Sequence, residues 1–159
     1  PNCKKFNLGT ISMYYLIRCP IKYDFEVWQR NTCNRKIYHR KTICKPAVKY
    51  SDGRNAYFYD GIAYKIVYSP DSKEIIATVQ NKEILQSFNN HPSRIYYNGT
   101  KEWHTVGFLN RQLFPAVIYS NGDQEYWNFG KGNRYNGPAV IYGNKQYFFE
   151  NGEFIKCIV

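Results

Sequence analysis

The strongest constraint on how this chain folds is that it repeats itself. "FPAVIYSNG" at residues 114–122 is followed, 23 residues on, by "GPAVIYGN" at residues 137–144. Anchored on the Tyr that closes "PAVIY", the pattern extends to Tyr50, Tyr68, Tyr96, Tyr119 and Tyr142, of which the last three are spaced by 23 residues. Four residues before the anchor stand Pro46, Pro92, Pro115 and Pro138, and three after it Gly53, Gly99 and Gly122. Eleven after it come Gly61, Gly107 and Gly130, with Gly152 one place early because the last unit is one turn residue short. Self-similarity at a period of this length is the signature of a repeat architecture.

Each column has a physical reading. Proline cannot donate to a ladder and suits the first residue of a strand. "AVIY" is β-branched and aromatic, a strand composition. Asn121-Gly122 is the pair that a two-residue type I′ turn prefers, because both of its central positions need φ > 0. Such a turn pairs Val117 with Tyr126, Ala116 with Trp127 and Tyr119 with Gln124. Val117, Tyr119 and Tyr126 then share one face, and Ala116, Ile118 and Trp127 the other. Neither face is polar, so the sheet curls on itself or one face meets a partner. The fold expected is all-β: an antiparallel β-hairpin repeat array, a meander or solenoid of about five to six hairpins with little helix. "PIKYDFEVW" at residues 20–28 is a degenerate sixth, capping hairpin, and "NKEILQSFNN" at residues 81–90 is long enough for a helical turn or an inserted loop.

The net charge of +10 is not spread evenly. Residues 1–50 hold eleven Lys and Arg against Asp24 and Glu26, and the rest of the chain is close to neutral. Four of the five cysteines lie in the same third. The domain reading is therefore a basic, Cys-bearing segment over residues 1–43 and one continuous repeat domain over residues 44–159. "RNTCNRKIYHRK", with Arg30, Arg35, Lys36, Arg40 and Lys41, is the candidate docking segment. Clustered cations beside Tyr38 and His39 suit nucleic acid, an acidic protein surface or an anionic membrane face.

For chemistry, the chain offers His39, His91 and His104. His104 falls in a column filled elsewhere by aromatic or aliphatic residues, including Trp127, and reads as a packed ring. Glu102 and Glu125 occupy equivalent strand positions and read as solvated or cross-strand partners. No phosphate-binding glycine loop, paired metal histidines or nucleophile elbow is present, so no catalytic residues and no cofactor are assigned and an enzyme is not expected. Cys19, Cys33, His39 and Cys44 are the residue types zinc prefers, but they lack the close Cys pair of a strong zinc signal, so no metal is assigned.

"GPAVIY", a turn with "NG", "EYW", and "NGE" or "FGK" before the next unit together resemble the variant class of MORN repeats, over about residues 44–156. The resemblance implies an elongated array of antiparallel hairpins acting as a structural or protein–protein interaction scaffold. Such arrays are abundant in large DNA viruses of amoebae, phages and bacteria, where some are antitoxin-like. Asn, Lys, Ile, Tyr and Phe, encoded by AT-rich codons, are more than twice as numerous as Gly, Ala, Pro and Arg. That usage is compatible with a giant-virus source. The expectation is an unsecreted virion, capsid-associated or host-cytoplasmic component, with other proteins as partners, nucleic acid or a membrane surface as alternatives, and oligomeric state open.

Overall fold

The β-branched and aromatic stretches form strands. The computed structural model describes residues 3–7, 13–19, 25–31 and 36–159, and among them there are twenty strands and no helix. The chain divides into two compact units, residues 1–65 with 77–81, and residues 66–76 with 82–159.

The first unit contains β1 (Cys3–Asn7), β2 (Met13–Cys19), β3 (Phe25–Asn31), β4 (Lys36–Tyr38), β5 (Val48–Tyr50), β6 (Asn55–Tyr59) and the start of β7 (Ile62–Tyr68). Neighbouring strands run antiparallel in the order β1-β2-β3-β5-β6-β7. β3 is shared: Phe25, Glu26 and Val27 pair with β5, while Gln29, Arg30 and Asn31 pair with β4. Residues 20–24 of the capping hairpin expected at 20–28 lie outside the described residues; residues 25–28 belong to β3, which pairs with β2 from Tyr14↔Arg30 to Cys19↔Phe25.

The second unit contains most of β8 (Ser72–Val79), then β9 (Lys82–Leu85), β10 (Arg94–Tyr96), β11 (Lys101–Glu102), β12 (His104–Thr105), β13 (Phe108–Leu109), β14 (Val117–Ile118), β15 (Gln124–Glu125), β16 (Trp127–Asn128), β17 (Lys131–Gly132), β18 (Val140–Tyr142), β19 (Lys145–Glu150) and β20 (Glu153–Ile158). Its main sheet is open, in the order β8-β10-β11-β14-β15-β18-β19-β20, and β12-β13 and β16-β17 are separate two-stranded sheets. The "NKEILQSFNN" stretch is neither helix nor plain loop: it supplies β9 and a bridge between Phe88 and His91.

The turn chemistry differs from the sequence expectation. At Asn121-Gly122 only the glycine has positive φ, at 93°. The Gly122 N–H reaches the Tyr119 carbonyl and the Tyr119 N–H reaches the Asp123 carbonyl, so the loop has three residues. This is a type I turn closed by a left-handed glycine, the G1 bulge. Tyr50–Arg54 and Tyr96–Thr100 carry the same two bonds. In each turn an Asx side chain accepts the N–H two residues on: Asp52 from Arg54, Asn98 from Thr100, Asn121 from Asp123. The extra loop residue moves the register by one, so Val117 stands opposite Glu125 and Ile118 opposite Gln124. A one-residue slip exchanges faces. The predicted pairs Val117–Tyr126, Ala116–Trp127 and Tyr119–Gln124 are therefore replaced, and Glu125 joins Val117's face. The last unit, short by one residue, turns in two: Tyr142 pairs directly with Lys145.

Positive φ at two consecutive residues occurs elsewhere, at Gln80-Asn81, at Asn89-Asn90 and in four glycine-bearing turns, Asp60-Gly61, Val106-Gly107, Phe129-Gly130 and Asn151-Gly152. There the glycine N–H is a donor to an earlier hairpin: Gly61 to Tyr38, Gly107 to Leu85, Gly130 to Leu109, Gly152 to Gly132. Bulk is excluded at Gly130, where an added Cβ would lie 3.1 Å from the Phe108 ring. The core is thin. Among the described side chains it consists of Val27, Ala47, Val48, Tyr64 and Ala77 in the first unit, and Ile75, Phe88, Trp103, Ala116, Val117 and Ala139 in the second. The small residue after each strand-opening proline, alanine at 47, 116 and 139 and Ser93 after Pro92, is wholly inaccessible.

Candidate functional site

Those alanines mark where the second strand of a hairpin leaves the main sheet. The Trp103 N–H donates to the Ala116 carbonyl and its own carbonyl accepts from Asn110, while Tyr126 bonds Ala139 and Asn133 in the same way. One half of the strand thus stays in the sheet, and the other turns into a small local hairpin, β12-β13 or β16-β17. In the first unit Trp28 makes equivalent bonds to Ala47 and His39. Each junction is a corner with an aromatic ring at its vertex.

An arginine lies over each ring. The guanidinium carbon of Arg40 is 3.6 Å from the Trp28 ring centroid, that of Arg111 3.7 Å from Trp103, and that of Arg134 3.9 Å from Tyr126. Cation–π stacking is worth about 0.5–2 kcal/mol depending on desolvation. Arg111 and Arg134 also cap the carbonyl of the proline four residues on, Pro115 and Pro138. The "NR" pairs at 110–111 and 133–134 are 23 residues apart, a column absent from the hairpin motif and invisible if only the motif is read.

Between the two corners of the second unit runs a groove of about 700 Å³, lined among others by Arg111, Leu113, Tyr126, Phe129, Arg134 and Tyr135. Leu113 is 87% exposed and Tyr135 96%. Leu113 also has φ of 66°, a region unfavourable for a branched side chain. A second depression of about 470 Å³ continues past Arg134 toward Phe149 and Lys156.

The main sheet of the second unit carries a polar row. Arg94 binds Glu74 at 2.6 Å and Glu102 at 3.4 Å, and the Tyr96 hydroxyl donates to Glu102. One repeat on, buried Glu125 accepts from the Tyr119 hydroxyl, the Tyr142 hydroxyl and the Trp127 indole N–H. Glu125 is therefore a buried hub, not a solvated carboxylate. Burial, with the neighbouring Tyr142 and Glu125, pushes the Tyr119 phenol well above its ordinary range, and burial with Glu125 raises Tyr142. The strand-opening and turn columns (Pro46, Pro92, Pro115, Pro138; Gly53, Gly99, Gly122) frame these bonds, with Tyr50, Tyr96 and Tyr119 closing the loops.

His104 is a packed ring, as its column implies: its Nδ1 is 2.8 Å from Ser93 Oγ, and its Nε2 is 3.8 Å from Glu102. Burial, and then the Arg94 charge, lowers its pKa to about 4. The Ser–His–Glu sequence imitates an acyl-transfer relay, but Ser93 is 0% exposed, which seals its hydroxyl from any carbonyl substrate. His91 Nδ1 bonds the Pro92 carbonyl.

Of the basic docking residues, Arg30 pairs with Asp60 at 2.8 Å and Arg40 is spent on Trp28, while Lys36 and Lys41 are exposed; Arg35 lies outside the described residues. Of the zinc-type residues, Cys33 also lies outside them, and Cys19 ends β2. The Cys44 N–H donates to the Tyr64 hydroxyl, whose pKa burial pushes up to about 12. The Asp60 N–H donates to His39 Nδ1, which commits that nitrogen as an acceptor; burial lowers the His39 pKa, Asp60 opposes and Arg30 adds to the lowering. Among the described residues no three His, Cys, Asp or Glu side chains gather as metal ligands.

Fold and surface together define an all-β chain whose exposed chemistry hangs on repeated corners. No protein-family model, curated protein or solved structure matches it.

Proposed function

We propose that this chain is a non-enzymatic structural and interaction protein, a MORN-like hairpin array whose backbone is held constant while its corner surface carries partner contacts. The observation behind this reading is the contrast across one repeat. The bonds of Trp103, Asn110 and Ala116 recur at Tyr126, Asn133 and Ala139, yet the exposed residues hung on them change from Gln112 and Leu113 to Tyr135 and Asn136. A constant frame with a varied surface suits recognition by neighbouring repeats acting together. The AT-rich residue usage supports a place as a virion or host-interacting component of a large DNA virus.

Affinity isolation of the tagged chain from infected cells and from particles, followed by native mass spectrometry, tests this. The expected result is stoichiometric recovery with particle or host proteins. Bound nucleic acid as the sole partner, or a lone monomer in every compartment, would overturn it; one stoichiometric enzyme would instead identify an antitoxin-like inhibitor.

A further inference from the structure

The two corner arginines of the second unit differ from Arg30, Arg54 and Arg94 in the company they keep. Arg30, Arg54 and Arg94 each meet a carboxylate at 2.8 Å or closer. Arg111 and Arg134 meet none among the described residues: each contacts a vertex ring and a proline carbonyl, and Arg111 also the Asn90 side chain and the Phe114 ring. Both are half-buried, and burial weighs against the charged form of Arg111. The groove they share has twelve lining residues, none acidic and five of them Asn or Gln. A half-buried guanidinium without a counter-ion is an unsatisfied anion receptor, and its planar fork fits a carboxylate bidentately.

The spacing of the two receptors narrows the ligand. Trp103 follows β11 and Tyr126 follows β15, and in the main sheet order β11-β14-β15 these are two strands apart. At about 4.7–4.9 Å per strand the corners repeat every 9.5 Å or so, about one turn of a polyproline II helix, three residues rising about 3.1 Å each. A β-strand ligand fits worse, since its same-face residues fall at about 6.8 Å or 13.6 Å. We propose that this groove binds an extended, acidic segment of a partner protein in polyproline II conformation, with carboxylates three residues apart, one on Arg111 and one on Arg134.

The segment is protein in preference to nucleic acid for two reasons. The Trp103 and Tyr126 faces are already covered by guanidinium and cannot stack bases. The groove's amides, Gln112, Asn128 and Asn136 among them, both donate and accept, as the unpaired backbone of a polyproline II segment requires and a phosphate does not. Leu113 and Tyr135 on the rim supply apolar contact to the residues between and beside the carboxylates.

This inference rests on the interaction reading above and is tested separately. Fluorescein-labelled proline-rich peptides carrying two Glu at separations of one to four positions are titrated into the full chain and followed by anisotropy at low and high salt. Binding is expected to be tightest at a separation of three, to weaken with salt, and to fall about tenfold with Arg134→Gln. Because that arginine also packs, circular dichroism monitors its fold, and the double variant Leu113→Ser with Tyr135→Ser, at fully exposed positions, is expected to weaken binding with an unchanged spectrum. Equal affinity at all separations, no binding at low salt, or displacement of the peptide by random single-stranded DNA would overturn the proposal. If any of these occurs while the chain is still recovered in a stoichiometric protein assembly, only the groove's assignment fails; if that recovery fails too, the wider reading goes with it.

Discussion

The corner at Trp28 and the corners at Trp103 and Tyr126 make the same backbone bonds and carry the same stacked arginine, yet the charges around them differ. Beside Trp28 the position before the arginine is His39, and Asp60 bonds both His39 and Arg30. Beside Trp103 and Tyr126 that position is Asn110 or Asn133, and no carboxylate lines the groove. The scaffold fixes where a cation stands; the side chains around it decide whether a carboxylate stands at that corner, as Asp60 does beside Trp28. High charge in the first third of the sequence therefore does not by itself locate the charge available to a partner.

The largest expected effect comes from removing the vertex itself. Trp103 is 5% exposed and donates its indole N–H to the Asn90 carbonyl, so Trp103→Ala is expected to cost about 4 kcal/mol in urea unfolding. Trp28→Ala, at a half-buried position, is expected to cost about half as much. Equal losses would mean that the two corners bear the same load, against the comparison.

Protonation separates the two units next. His104 titrates at about 4 when folded and near 6.5 when unfolded, so between those values the unfolded chain binds more protons. Its contribution to stability is complete above about pH 6.5 and is lost as pH falls toward 4, on the order of 3 kcal/mol in all. His104→Phe is expected to flatten that part of the pH–stability curve. His39 is also lowered, but Asp60 opposes the shift, so His39→Phe is expected to flatten it less. A larger effect at His39 would reverse the assignment.

The smallest test concerns the tight turns. Asp60 and Asn151 place residues tolerant of positive φ at the first central position, where Val106 places a β-branched one at φ of 50°. Val106→Asn is expected to stabilise by about 0.5–1 kcal/mol, and Asp60→Val to destabilise by at least as much because it also removes the Arg30 pair. Thermal unfolding of both variants reads the difference. No change in either would show that turn strain is relieved elsewhere.

The β-class and the strand-opening and turn positions were legible because Pro, Gly and β-branched residues act locally. The register was not. Asn-Gly serves a two-residue turn and a three-residue G1 bulge alike, and of the four glycine-bearing turns with consecutive positive φ, two stand behind Val106 and Phe129, residues that such turns disfavour. The corner arginines were hidden for another reason: they lie 15 residues past Tyr96 and Tyr119, outside the hairpin they brace, and their meaning is a stacking contact set by tertiary geometry. Likewise Glu125 reads as a surface strand residue until the one-residue shift in pairing carries it inward beside three donors.

The side-chain bond inside each three-residue loop bears on how the molecule ages. An exposed Asn-Gly bond is a weak point in any polypeptide, because glycine's unhindered nitrogen can attack the asparagine side-chain carbonyl and release ammonia. At Asn98 and Asn121 that carbonyl oxygen is held by the N–H of Thr100 or Asp123, pointing past the glycine. Simple hydrolysis of either amide would leave aspartate, the residue that already does the same work at position 52. The loops thus tolerate one product of their own decay, whereas the isomer that lengthens the backbone by one carbon would undo the register that the loop exists to set.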